Sequence, residues 1–161
     1  MPTKENEVFN VNFLDKSTRK SELIGKLKEL HEALGGLSQD PRERPLKLSS
    51  TAAELVSDRI LGNPDKEVRL LGSCCIVDIL RIFAPEAPYD DPTLVKIFKV
   101  IIAQLRGLAT YDNNSTATGA KIFYILSSLS VVKSCVVLVY VAQSGVPGAD
   151  ELYANFFEVR I

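Results

Sequence analysis

Any chemistry in this chain has to come from a small set of side chains. One histidine, His31, and three cysteines, Cys74, Cys75 and Cys135, supply all the imidazole and thiol in 161 residues. One histidine cannot build a site that needs a second, and no cysteine pair has the CxxC spacing of a zinc or redox centre. The cysteines lie within apolar runs, where a thiol behaves as a small buried hydrophobe, and their odd number points to a reducing, intracellular compartment. His31 follows Leu30 on an amphipathic stretch and reads as a solvated or packed side chain. Glu86, Asp90 and Asp91 could form an acid–base pair, but they share one exposed turn, where carboxylates act as surface charges. "QSGVPGADEL", Gln143 to Leu152, sets a glycine turn before a helical pattern, as anion sites do, yet lacks the Lys and Gly spacing of a phosphate loop. Arg42, Arg44 and Lys47 alternate with Asp40 and Glu43 without stacking aromatics, and read as a solvated connector. The sequence therefore predicts no enzyme, no metal site and no cofactor.

Charge narrows the partners. Lys plus Arg number 19 against 20 Asp plus Glu, a net charge of −1, which gives no broad field for nucleic acid or anionic lipid. The apolar stretch Ile122–Val141 is interrupted by Lys133 and several serines, so a membrane span is not expected. The opening "MPTKENEVFNVNF" lacks the apolar run of a secretory signal.

Helical spacing dominates the rest. Leu23, Ile24, Leu27, Leu30 and Leu34 predict a helix over Thr18–Leu34, with Gly35 and Gly36 placed to end it in a left-handed conformation. Leu48, Ala52, Leu55, Val56 and Ile60 form a second stripe that stops at "GNP". Asn63 is expected as cap and Pro64 as first residue of a third helix, whose stripe runs from Val68 through Leu71, Cys75, Ile79 and Ile82 to Phe83. That helix is apolar on much of its circumference and should be central; Pro85 ends it at Ala84. Asp91 as cap and Pro92 at the first position open a fourth helix running to Gly107. Ile122, Leu126, Leu129 and Val132 predict a fifth from about Ala117, "SCVVLVYVA" reads as a buried helix, and Leu152, Tyr153, Phe156 and Phe157 carry a last one. Paired helices starting near residues 18, 64 and 117 suggest an all-α domain of HEAT-like repeats. Residues 1–17 are expected to be a flexible segment and 18–161 the repeat domain. Only seven charged residues follow from Leu108 onward, too few for a solvated outer cap, so the domain is expected to be truncated at its C-terminus.

Three blocks in order, "NPDKEVRLL", "DILRIFAPEAPY" and a helix ending in "QLRGL", within Asn63–Leu108, resemble the N-terminal part of the cohesin accessory subunits of the precocious-dissociation-of-sisters family. Weaker similarity extends through "KSELIGKLKELHEALGGLSQD" and "KIFYILSSLSVVKSC". The resemblance implies a nuclear, chromatin-associated, non-enzymatic scaffold that controls maintenance and release of sister chromatid cohesion. It implies the cohesin complex as partner, and docking of short motifs from the Wapl-type release factor, its antagonists and the cohesion acetyltransferase. It also implies that the kleisin is engaged by repeats beyond this chain. A generic HEAT adaptor in another pathway, such as trafficking, is the alternative.

The proline block has a physical reading of its own. Pro85 and Pro88 fix their own φ and push Ala84 and Ala87 toward extended geometry, so the stretch is ordered before a partner arrives and binding costs less entropy. Ala84 and Ala87 leave room for a partner, Tyr89 offers a flat amphipathic surface, and Glu86 offers a carboxylate to a basic side chain. The expected partner-binding residues are Ala84, Pro85, Glu86, Ala87, Pro88 and Tyr89, with Lys66, Arg69 and Asp78 flanking them from the preceding helix.

Overall fold

A computed structural model describes residues 19–84, 86–106, 116–131, 143, 145–149, 151 and 154. The predicted helix at "SCVVLVYVA" and the stripe Leu152, Tyr153, Phe156 and Phe157 of the last one, together with Cys135, Pro85 and the N-terminal segment 1–17, lie outside the described residues. All regular elements among the described residues are helical. They fall into two compact units, Met1–Pro88 and Tyr89–Ile161.

The first unit holds α1 (Lys20–Gly35), a 3₁₀ turn (Pro41–Glu43), α2 (Leu48–Leu55) and α3 (Lys66–Phe83). The apolar stripe of α1 buries Leu23, Leu27, Leu30 and Leu34, and α1 packs along α3. Their three- and four-residue spacing sets all four leucines over one another on a single face. As expected, α3 is central: every residue from Leu70 to Leu80 is buried. Gly72 lets the chain after α2 come close, since a β-carbon there would lie 2.6 Å from Cγ2 of Ile60. Ile60 is fully buried.

Several boundaries differ from the sequence reading for local reasons. Gly36 closes α1 at φ −83°, ψ −10°, in right-handed rather than left-handed geometry, its amide donating to Ala33 O and Leu34 O. α2 stops at Leu55, and turns with Ser57 amide to Glu54 O and Ile60 amide to Ser57 O carry Ile60 to the core outside any helix. α3 is capped by Asp65, not Asn63. The Asp65 carboxylate accepts from the amides of Glu67 (2.9 Å) and Val68 (3.2 Å), while the Asn63 side chain accepts from the Asp65 amide and so braces the cap. The three-residue spacing from cap to amide suits aspartate at that position.

The second unit holds α4 (Asp91–Arg106) and α5 (Thr116–Val131), which touch each other, and a turn over 145–149. Asp90 rather than Asp91 caps α4, accepting from the Thr93 amide at 2.9 Å, so Pro92 stands one position further inside than expected. Leu94, Ile97, Phe98, Ile101, Ile102 and Leu105 are its buried face, and Ile122, Ile125 and Leu129 are buried on α5. Gly145 and Gly148 take φ of +76° and +85°, the glycine-favouring region that a break at "SGVPG" requires. No helix among the described residues is long and apolar enough to cross a membrane.

Candidate partner-binding segment

The stretch after α3 is shaped from its helical side. Ala84, at φ −52° and ψ 143°, leaves the helix in extended geometry, and the Glu86 amide returns to Phe83 O at 3.1 Å. The last carbonyls of a helix have no partner within it. Here the connector after α1 supplies partners: Gln39 Nε2 donates to Arg81 O (3.0 Å) and Arg44 Nη2 to Ile82 O (3.2 Å). The Arg44 guanidinium also lies 4.0 Å from the centroid of the Phe83 ring, a cation–π contact. In return the Arg81 guanidinium donates to Leu34 O and Leu37 O, both at 2.9 Å, at the end of α1. One fork thus ties the end of α3 to the last turn of α1 and the chain that leaves it.

Arg44 is therefore no solvated connector residue, in contrast to the sequence reading. It is half-buried and fastens the end of α3. Arg42 does keep to the surface, paired with Asp40 at 2.7 Å. The only signal for Arg44 was its position in a Pro-containing connector; nothing in spacing linked it to a carbonyl 38 residues away.

The predicted site residues separate into groups. Glu86 is exposed, and Ala84, Ala87, Pro88 and Tyr89 are half-buried. Pro85 lies outside the described residues, and Tyr89 is the first residue of the second unit. Lys66 and Arg69 do not flank this stretch: they open α3, and 17 residue steps of helix from Lys66 to Phe83 span about 25 Å. Lys66 is exposed there, and Arg69 donates to Asn63 O at 2.6 Å. Asp78 cannot line a surface groove, because it has no exposed area; its Oδ2 lies 2.7 Å from His31 Nδ1, on the α1 side of α3. A carboxylate only accepts, so an ionised Asp78 fixes the imidazole proton on Nδ1. Of the two readings of His31, solvated or packed, this contact favours the packed one, but its carboxylate partner, 47 positions away, was not legible.

Elsewhere, Cys74 and Cys75 are buried free thiols, and burial, reinforced by the nearby Asp78 carboxylate, pushes the Cys75 thiol well up. A thiol so raised is a poor nucleophile. Among the described residues no group of three His, Cys, Asp or Glu side chains gathers to hold a metal ion.

The same helices carry a sequence pattern shared with known proteins. A family model described as sister chromatid cohesion protein PDS5 matches residues 21–160. The chain belongs to the PDS5 family. The pds5 protein of Schizosaccharomyces pombe is 38% identical over 139 residues, which is 86% of this chain and 11% of that protein. PDS5 homolog B-B of Xenopus laevis is 40% identical over 116 residues, 71% of this chain and 8% of that protein. PDS5 of Saccharomyces cerevisiae is 32% identical over 86% of this chain and 10% of its own length. Among solved structures, a chain in "Structure of the Pds5-Scc1 complex and implications for cohesin function" matches with TM-score 0.77 and 31% identity, over 94% of this chain and 21% of that one. At that identity and score the expected all-α, HEAT-like fold stands. This PDS5-family chain spans 8% to 11% of the length of these curated relatives.

Proposed function

We propose that this PDS5-family chain is a non-enzymatic regulatory scaffold of cohesin, acting in the nucleus on sister chromatid cohesion, and that its stretch Ala84–Pro88 captures short linear motifs of cohesin regulators. The regulators are the Wapl-type release factor, its antagonists and the cohesion acetyltransferase. The observation that supports the docking role is the anchored exit from α3: the helix end is held by Gln39 and Arg44, the chain leaves it extended, and Glu86 projects as an exposed carboxylate. A prearranged stretch loses little freedom on binding, and small Ala84 and Ala87 leave space beside the acid. Glu86 then reads a basic side chain of the incoming segment through a charge-assisted hydrogen bond, worth about 1.5–3 kcal/mol. Because the solved relative is a complex with Scc1, kleisin contact belongs to the same reading, through repeats beyond this chain.

Titrating a basic, aromatic-containing peptide from the release factor against wild type and Glu86→Lys tests the assignment. The expected result is at least about tenfold weaker binding to the variant, the lower end of what such a bond contributes. Equal affinities would remove Glu86 from the site.

A further inference from the structure

Ser38 is exposed in the connector after α1, and its hydroxyl closes the 3₁₀ turn from outside. Oγ donates to the Glu43 carboxylate at 2.5 Å and accepts from the Asp40 amide at 3.2 Å. The Ser38–Glu43 bond brackets the two residues that hold the end of α3. Gln39, next to Ser38, donates to Arg81 O, and Arg44, next to Glu43, donates to Ile82 O. One hydroxyl proton therefore helps keep both donors in register with the helix they serve.

A phosphoryl group on that oxygen reverses its chemistry. The ester oxygen has no proton to give, and the group brings about −1.5 to −2 charge at pH 7. It would stand against the Glu43 carboxylate, where like charge disrupts a contact. Arg42 cannot offset this, because its Nε and Nη2 are forked on the Asp40 carboxylate, and leaving it would bare a second anion. The next cation along the chain is Arg44, whose buried Nε has no hydrogen-bond partner. A phosphate that draws Arg44 over gives that donor an acceptor and takes Nη2 away from Ile82 O. Repulsion of Glu43 and attraction of Arg44 lead to one result, loss of the fastening.

We propose that Ser38 is a phosphorylation site whose modification unfastens the connector from the end of α3. The Ser38 oxygen attacks the γ-phosphorus of ATP held by a protein serine kinase. The new O–P bond forms as the β–γ bridging P–O bond breaks, ADP leaves, and the hydroxyl proton passes to the kinase's base. The effect on motif capture rests on the docking reading of Ala84–Pro88: a stretch no longer held in place loses its prearrangement, and binding it costs more entropy.

Phosphopeptide mass spectrometry of the 161-residue chain, after incubation with budding-yeast nuclear extract and magnesium ATP, is expected to find phosphate on Ser38. Its absence there overturns the proposal. Chain with phosphoserine installed at position 38 during translation is then compared with unmodified chain by hydrogen exchange. The Glu86 amide, which bonds Phe83 O, is expected to exchange at least about fivefold faster, the equivalent of one net hydrogen bond. Unchanged exchange overturns the proposal. In a Gln39→Ala, Arg44→Ala chain, which has no fastening to lose, phosphoserine should add nothing further at Glu86, with circular dichroism verifying the helices. The same acceleration in that background would place the effect elsewhere and equally overturn the proposal. Exchange is read without any peptide, so it decides the release independently of docking. The basic, aromatic-containing peptide is expected to bind phosphorylated chain at least about fivefold more weakly. Failure to bind even unmodified chain counts against the docking reading alone, whereas equal binding to both forms overturns the effect on capture.

Discussion

Asp78 has no solvent-accessible area, yet it is a carboxylate, and its 2.7 Å contact with His31 joins the middle of α3 to α1. Removing one partner of such a pair leaves the other desolvated and short of a hydrogen bond, which costs more than the bond's own net contribution. His31→Ala is therefore expected to destabilise the chain by about 2–3 kcal/mol. Urea unfolding measures it, and a change under about 0.5 kcal/mol, the scale of a surface substitution, would show that the contact carries no weight. At this scale the sequence was legible where a residue's role follows from its own hydropathy. Leu27, Leu30, Cys74 and Cys75 are buried as their runs predict. Asp78 was misplaced because an acid on a helix next to a proposed site reads as surface charge until the opposing helix is known. The register between α1 and α3 decides which of two faces it occupies, and no local pattern encodes that register.

Between elements, polar ties near both ends help fix α1 against α3. At the start of both helices Lys20 pairs with Asp65. That carboxyl is held below the ordinary carboxylate range chiefly by the Lys20 hydrogen bond, with smaller help from the Val68 and Glu67 amides. Because the folded state lowers this acid's pKa, its contribution is present above the unfolded pKa and is lost as pH falls through the folded one. Lys20→Ala should accordingly be less stable than wild type at neutral pH, and the two unfolding midpoints should converge as the pH falls through the lowered folded-state pKa of Asp65; a difference that persists undiminished in acid would rule the pair out as its source. The centre of α3 is set by shape instead. Gly72→Ala drives a methyl into Ile60 Cγ2 and is expected to cost about 1–3 kcal/mol. Combined with Ile60→Ala, whose cavity the new methyl partly fills, the loss should be smaller than the sum of the single changes. Simple additivity in thermal unfolding would show that the two positions do not share space. The helices were legible because their stripes are long and well punctuated. Their caps were displaced by one or two residues because Asn63, Asp65, Asp90 and Asp91 are all competent caps, and only the path of the chain selects among them.

For the molecule as a whole, the nearly balanced charge supplies no broad positive field for DNA. A duplex-DNA mobility-shift assay is expected to show no retention near physiological salt, since non-specific affinity comes from phosphate neutralisation. Strong, salt-sensitive retention would contradict that expectation. What the proline block could not reveal from sequence is the service rendered by distant residues: Gln39 and Arg44 already occupy the carbonyls of Arg81 and Ile82, and the Glu86 amide takes that of Phe83. An incoming polypeptide finds those three acceptors already engaged, which leaves less to gain there from a main-chain ladder. Under the docking proposed for Ala84–Pro88, this shifts recognition toward side chains such as Glu86, so binding should respond to a single residue of the guest more than to methylation of guest amides facing that helix end.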